Sequence, residues 1–376
     1  MFNPVKNLLL IIALLGLISC QETIKELKEQ TKEECSNPTH KHYDLLTMGY
    51  ITPWKKNGYE MIEKYYNKFD IISPTWFELQ PEIVNNEFNV KIDGANYVDM
   101  KYLKEIKSKN NKIKVLPRFH CSNFNVNDLS AWLGSEENSK KFIKILLRRI
   151  KHNKFDGAVF DCIHIWMGEE VYIAFAKFIP LLSQAFKENH LSLVVTLFPY
   201  AEQLKNAINK NRFEFLAKYI DYFNIMTYDY IQYHKNSPQE DNTNKIFNAP
   251  LTWIKESVEY YVDMTKDNKN ELLQKILLGL PFHGFALPKK EKEKGSVIDS
   301  EKFSNFVIGS TNEKLIWNEV ECEHLIEINE GQKEFIAIYP TRKFLKERLN
   351  LSKTLGLAGC AIWDVGNGNE NFMDEF

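Results

Sequence analysis

The chain has 376 residues, 44% hydrophobic and 26% charged, a balance that supplies a large core and excludes both a disordered chain and a polytopic membrane protein. Its 48 Lys and Arg against 50 Asp and Glu leave a net charge of -2, which offers no electrostatic footprint for a polyanion and argues against nucleic acid as a partner. Length alone suggests two or three domains, but a single α/β barrel uses about 250 residues and tolerates insertions, so one domain with an insertion also fits.

Met1 to Asn7 carries one positive charge and runs into eleven apolar residues, Leu8 to Ile18, that end at Ser19-Cys20. A basic start, a short apolar centre and small residues at the cut predict a secretory signal over 1–20. The apolar run is short of the roughly 20 residues a spanning helix needs, so no stable membrane span is expected. Leu17-Ile18-Ser19-Cys20 also resembles the lipobox of bacterial lipoproteins, in which Cys20 would be lipidated; plain secretion is the expectation. Residues 21–42 are polar, without a sustained apolar period, and read as a linker ahead of a domain over 43–376.

Beyond Cys20 there remain Cys35, Cys121, Cys162, Cys322 and Cys360, an odd number, so at least one thiol is free or pairs outside the chain. No pair has zinc-ligand spacing, and neither a metal nor a cofactor is expected. Cys360 lies in an apolar run and reads as a buried free thiol. Asn350-Leu351-Ser352 is a sequon for glycosylation in a eukaryotic secretory route.

From Tyr43 onward, apolar runs of strand length alternate with segments of helical period. The first run is Leu45 to Ile51, followed by a helix over Asn57 to Asn67; the second is Phe69 to Phe77, followed by a helix over Tyr97 to Ser108. Ile113 to Phe119 is the third, and in the helix after it, Ser135 to Lys151, the residues Phe142, Ile145, Leu146 and Ile150 share one face. Phe155 to Ile163 is the fourth and Glu169 to Asn189 its helix. Leu191 to Phe198 and Tyr222 to Tyr228 are the fifth and sixth, separated by a helix near Leu204 to Tyr219. Pro250 to Met264 is helical, Lys275 to Phe282 is the seventh run and Leu357 to Trp363 the eighth. Continuous apolar runs between helices indicate parallel strands buried on both faces, and eight such units predict a (β/α)8 TIM barrel. About 75 residues separate the last two strands. They predict a small α+β insertion at about 285–340, with a hairpin of Cys322 to Ile328 and Glu334 to Tyr339, and then a helix over Thr341 to Leu355.

In such a barrel the side chains at the C-terminal strand ends line the site. Here they are Tyr50, Trp54, Trp76, Arg118, Asp161, His164, Trp166, Tyr228, Asp229, Tyr230, His283 and Trp363. Flat aromatic faces beside a few polar groups suit sugar rings, whose C–H faces pack on them while hydroxyls take directed hydrogen bonds. Glu169 and Glu170 are expected in the first turn of the next helix, where acids favour the helix dipole. His120 and His283 read as satisfied structural side chains.

Taken in order, Gly49-Tyr50-Ile51-Thr52-Pro53-Trp54, Phe69 to Trp76, Phe155-Asp156-Gly157, Met226-Thr227-Tyr228-Asp229-Tyr230, Asn248 to Trp253, Lys275 to Leu280 and Ile362-Trp363 resemble glycoside hydrolase family 18, the chitinase-like barrels. The resemblance runs from about Leu45 to Phe376. Active members carry D-G-x-D-x-D-x-E on strand four, whose glutamate protonates the glycosidic oxygen while the substrate's acetamido group supplies the nucleophile and the neighbouring aspartate orients it. Laid on this sequence, Asp156 and Gly157 match the first two positions, Val159 replaces the middle aspartate, Asp161 matches the last, and Ile163 stands where the acid should be.

An isoleucine donates no proton. The resemblance therefore implies a secreted or lysosomal chitinase-like protein that binds chitin-type or other oligosaccharides without cleaving them. Trp363 would be the aromatic floor, Tyr228 and Asp229 hydrogen-bonding partners, Asp161 a polar remnant, and Tyr50, Trp54 and Trp76 further contacts; a glycan and a sorting receptor are the partners it implies. Two other readings remain. One is a weak glycosidase using a displaced carboxylate: Asp161, about 6 to 7 Å lower on the same face, or Glu169 or Glu170. The other is a protein-interaction scaffold that meets its partner through the insertion.

Overall fold

The computed structural model describes residues 23–162, 168–204, 208–233, 246–289, 295–309, 314–330 and 333–376. The expected signal segment, 1–20, and the positions Ile163, His164 and Trp166 lie outside the described residues.

The barrel staves are β1 (Leu46–Ile51), a second stave in two pieces, β2 (Ile71–Pro74) and β3 (Phe77–Val84), and a third in two pieces, β5 (Lys114–Val115) and β6 (Arg118–Cys121). They continue as β7 (Gly157–Asp161), β8 (Ser192–Leu197), β9 (Tyr222–Ile225), β10 (Ile276–Pro281) and β16 (Gly359–Trp363). Parallel pairing runs from β1 to β2, β2 to β5, β3 to β6, then through β7, β8, β9, β10 and β16 back to β1. The third stave breaks at Leu116-Pro117 because proline has no N–H for the ladder. The ring holds across the break: the Leu116 amide donates to the Ile72 carbonyl at 3.0 Å, and the Val159 amide to the Pro117 carbonyl at 2.9 Å.

Alternation sends Met48, Ile71, Leu116, Val159, Val194, Leu277 and Ala361 into the barrel interior, while Phe160, Leu193, Val195, Leu278 and Ile362 pack outward beneath the helices. Both faces are apolar, which is why the strands read as unbroken hydrophobic runs. The α/β TIM barrel is therefore the architecture of the chain.

The helices follow the expected order with local differences. Glu136–His152 starts at Ser135, whose hydroxyl accepts the Asn138 amide at 3.3 Å. It buries Phe142, Ile143, Leu146 and Ile150, and Ile145, expected inside, is 37% exposed because the helix is rotated toward Ile143. Of the helix expected over Leu204 to Tyr219, the described residues form a regular α-helix over Lys210–Leu216, which Asn209 caps by accepting the Arg212 amide at 3.0 Å.

One β-hairpin went unread in the sequence, and the sheet of the insertion was read only as its hairpin of Cys322 to Ile328 and Glu334 to Tyr339, which is present. β3 runs on past the barrel and pairs antiparallel with β4 (Glu87–Asp93) around Asn85-Asn86, both in the left-handed region that a tight hairpin turn requires. The insertion is a five-stranded antiparallel sheet and not one hairpin: β11 (Gly284–Pro288), β12 (Ser296–Ile298), β13 (Lys314–Asn318), β14 (Glu323–Glu330) and β15 (Lys333–Ile338), in the order β12-β11-β15-β14-β13. It leaves the barrel directly after β10, and β11 opens at Gly284, within a residue of the expected start of the insertion.

The lead-in ahead of the barrel carries a helix, Ile24–Gln30, closed at its start by a reciprocal Thr23–Glu26 cap, with Leu27 buried. Asp374 accepts the Ser36 amide at 2.8 Å and its hydroxyl at 2.7 Å, and the Asn371 side-chain amide donates to the Gln30 carbonyl at 2.7 Å. A disulfide joins Cys121 to Cys162, whose Cα atoms are 4.8 Å apart; Cys35, Cys322 and Cys360 are free and buried. Among the described residues no helix is long and apolar enough to cross a membrane.

Candidate functional site

At the C-terminal mouth of the barrel a cleft of about 200 Å³ is lined by Tyr50, Arg118, Asp161, Thr196, Asn224, Met226, Tyr228, Asp229, Tyr233 and Trp363. Most of these are the last inward positions of successive staves, which is how strand alternation gathers residues distant in sequence at one rim. Larger hollows of about 460 and 480 Å³ open beside Tyr200 and Tyr260 on the outer wall and beside Leu46 and Ala358 at the opposite mouth. Neither collects the strand-end residues on which barrel chemistry depends.

Asp161 is among the most buried polar groups of the cleft, at 1% exposure. Its Oδ2 accepts from Arg118 Nε at 2.6 Å, pairs with Arg118 Nη2 and lies 3.1 Å from His120 Nδ1, while its Oδ1 accepts the Thr196 hydroxyl at 2.5 Å. Burial alone would raise its pKa. The Arg118 charge, with the His120 and Thr196 hydrogen bonds, outweighs that and holds the carboxyl well below the usual carboxylate range. A group held ionised in this way is a hydrogen-bond acceptor and not a proton donor.

Trp363, half-buried, receives the Arg118 guanidinium over its ring at 5.3 Å and the edge of Tyr50 at 5.3 Å. The Tyr50 hydroxyl accepts from Asn224 Nδ2 at 2.9 Å, and the Asn224 Oδ1 is buried with no partner among the described residues. A buried acceptor without a partner is a place for a ligand hydroxyl or amide.

Tyr228 and Asp229 line the cleft together with Tyr233. Burial raises the Tyr228 phenol well above its ordinary value, so it remains a neutral donor. Asp229 sits in the left-handed region at φ 64°, its amide donating to Asn248 Oδ1 at 2.9 Å and its Oδ1 2.7 Å from His283 Nε2. Backbone held in that region by a non-glycine residue costs of order 1 kcal/mol or more, and such positions cluster at functional sites.

The structure thus brings together five of the seven expected site residues: Tyr50, Asp161, Tyr228, Asp229 and Trp363. Trp76 is a correction. At 1% exposure it packs against Phe77 and Phe155 and donates its Nε1–H to the Tyr59 hydroxyl at 2.8 Å, so it belongs to the core beneath the rim and offers no face to a ligand. Trp54 is 69% exposed on the loop after β1 and is not among the lining residues. Glu169 and Glu170 occupy the first helical turn as expected, engaged by Arg212 at 2.8 Å and the Ser130 hydroxyl at 3.1 Å. Asp156 is at the opposite end of β7, where it holds Lys107 at 2.6 Å and the Val115 amide at 2.7 Å.

His120 and His283, read as structural, each face a cleft carboxylate. Thr196, Asn224, Met226 and Tyr233 were missed. Counting inward positions by two along β8 and β9 would have found Thr196, Asn224 and Met226; Tyr233, on the short helix Tyr230–Tyr233, carries no such signal. Among the described residues no group of His, Cys, Asp and Glu is placed to hold a metal ion.

Solved structures similar to this one include a chitinase from Chromobacterium violaceum ATCC 12472, at 15% identity and TM-score 0.70 over 88% of this chain and 97% of that one. A family 18 chitinase from Cycas revoluta in complex with (GlcNAc)3 aligns at 15% identity and TM-score 0.68, over 88% and 98% of the two chains. Human YKL-39, described as a pseudo-chitinase with retained chitooligosaccharide binding properties, aligns at 17% identity and TM-score 0.66, again over 88% and 98%. At these identities the likeness is one of fold. The sequence profile described as Glycosyl hydrolases family 18 matches residues 46–368, from the first barrel strand to just past the last, and the chain belongs to that family.

Proposed function

We propose that the chain is a carbohydrate-binding member of the family that takes chitin-type or related oligosaccharides at the barrel mouth without hydrolysing them. The observation that carries this reading is Asp161, buried beside the Trp363 floor and committed to Arg118, His120 and Thr196: an acceptor for a ligand, with no proton to give. The sequence adds Ile163 where active members carry their acid, and Glu169 and Glu170 are engaged away from the cleft lining. YKL-39 sets a precedent for the fold keeping chitooligosaccharide binding as a pseudo-chitinase. The motif run is also like that of chitinase domain-containing protein 1, the stabilin-interacting chitinase-like lectin. This favours a saccharide ligand, a sorting receptor as partner and a secreted or lysosomal destination.

The test is a glycan array probed with the full chain and with Trp363→Ala, followed by prolonged incubation with chito-oligosaccharides. The expected result is binding of a subset of glycans, lost or weakened at least tenfold by Trp363→Ala, with no cleavage; one good aromatic contact to a ligand ring is worth about 1.5 kcal/mol or more. Cleavage that disappears on changing Asp161, Glu169 or Glu170 would establish a hydrolase instead, and an array without any binder would leave the scaffold reading.

A further inference from the structure

The strained residue of the cleft is held from outside it. Asn248 closes a ring around Asp229: its Oδ1 accepts the Asp229 amide at 2.9 Å, its carbonyl accepts the Tyr230 amide at 2.9 Å, and its Nδ2 donates to the His283 carbonyl at 2.8 Å. The His283 ring then returns to Asp229 Oδ1 at 2.7 Å. Asn248 lies in neither a helix nor a strand, so the ring is only as well fixed as whatever holds that segment.

What holds it is a carboxylate of the insertion. Glu323, the first residue of β14, is 1% exposed and divides its two oxygens between adjacent amides, Asn248 at 3.0 Å and Ala249 at 2.6 Å. Arg348, from the helix Arg342–Leu355, backs it at 3.5 Å and donates to the Ala249 carbonyl at 2.6 Å and the Cys322 carbonyl at 2.7 Å. A buried ion pair is a poor way to gain stability, since apolar residues of the same volume often do better, and its best attested use is to fix one arrangement against others. Here the arrangement fixed is the peptide that carries Asn248.

We propose that Glu323 is a positioning residue for ligand binding: by holding Asn248 it keeps Asp229 in the left-handed conformation that presents its carboxylate to the cleft. The insertion and the barrel mouth are thereby coupled through Glu323, Asn248 and Asp229. The sugar affinity used to read this rests on the proposed function; the geometry does not.

The experiment is calorimetric titration of the full chain with chito-oligosaccharide, comparing wild type, Glu323→Gln, Asp229→Ala and the double variant, with Glu323→Asp in place of Glu323→Gln if the latter does not fold. Glutamine offers one acceptor where two amides need one each. The expected result is an affinity about tenfold weaker for Glu323→Gln, and a double variant no weaker than Asp229→Ala alone, as for residues acting in one chain. Losses that simply add, or an unchanged affinity in Glu323→Gln, would overturn the proposal, because a purely structural role does not vanish in the Asp229→Ala background. The ¹⁵N signal of the His283 imidazole provides a second measurement that needs no ligand: it reports the hydrogen bond to Asp229 and is expected to move in Glu323→Gln. Should the wild type bind no sugar, the proposed function fails while this signal still decides the positioning role, an unmoved signal overturning it.

Discussion

Asp161 and Asp364 are both buried carboxyls at the barrel mouth, and they respond to pH in opposite senses. Asp161 is held below its ordinary value, so its contribution to stability is present above about pH 4 and is lost as the pH falls below that. Asp161→Ala leaves Arg118 facing a partly buried gap and is expected to cost about 3 kcal/mol at pH 7 in urea denaturation, less as the solution is acidified below pH 4. Asp364, 4% exposed, is pushed up to about 6 by burial, against which Lys55 and the Asn367 side chain compensate only in part. The folded chain therefore holds a proton there that the unfolded chain releases between about pH 4 and 6, and stability from this group falls as pH rises through that window. Asp364→Asn is expected to be less harmful at pH 7 than at pH 4, by up to about 3 kcal/mol, in paired thermal or urea melts. At this scale the sequence told which residues reach the rim but not how they are paired: Arg118 and Asp161 stand at strand ends by counting, whereas their ion pair depends on the register between β6 and β7.

The strand β7 shows what holds one stave to the next. Gly157 opens it where the chains approach so closely that a Cβ would run into the Ser192 carbonyl of β8. Gly157→Ala is expected to destabilise the barrel by about 2–3 kcal/mol, read as a lower urea midpoint, without touching any cleft residue. All eight staves were legible, because a strand buried on both faces writes an unbroken apolar run. The β3–β4 hairpin was not read, although Phe88, Val90 and Ile92 alternate with polar residues along β4 as a half-buried strand requires; it lies outside the repeat of apolar runs and helices from which the staves were counted. Trp76 failed for a different reason. The second stave breaks at Thr75-Trp76, and the break turns the indole downward into the core, a change of direction that period-two counting cannot anticipate.

The whole molecule is a closed ring whose lead-in and final segment are fastened to each other. Asp374 accepts from the Ser36 amide, the Ser36 hydroxyl and the Cys35 thiol, and the His42 amide donates to the Phe376 carbonyl at 2.7 Å. Asp374→Ala is expected to cost about 2 kcal/mol, since it strands these donors, and to expose the lead-in to limited proteolysis before the barrel itself is cut. The fold persists at 15% identity to solved family members because burial pattern alone specifies the staves, while the groups that meet at the mouth are free to change.

The bridge between Cys121 and Cys162 fastens the outer ends of β6 and β7, the two strands that carry Arg118, His120 and Asp161. It closes a segment of 41 residues, a loop for which cross-linking is worth about 4 kcal/mol against the unfolded chain. A thiol reductant therefore acts on the rim first: the chain should melt several degrees lower in dithiothreitol, and its indole emission should change as Arg118 loosens from Trp363. Electron supply would then decide how much of the protein keeps Arg118, His120 and Asp161 in register at the rim.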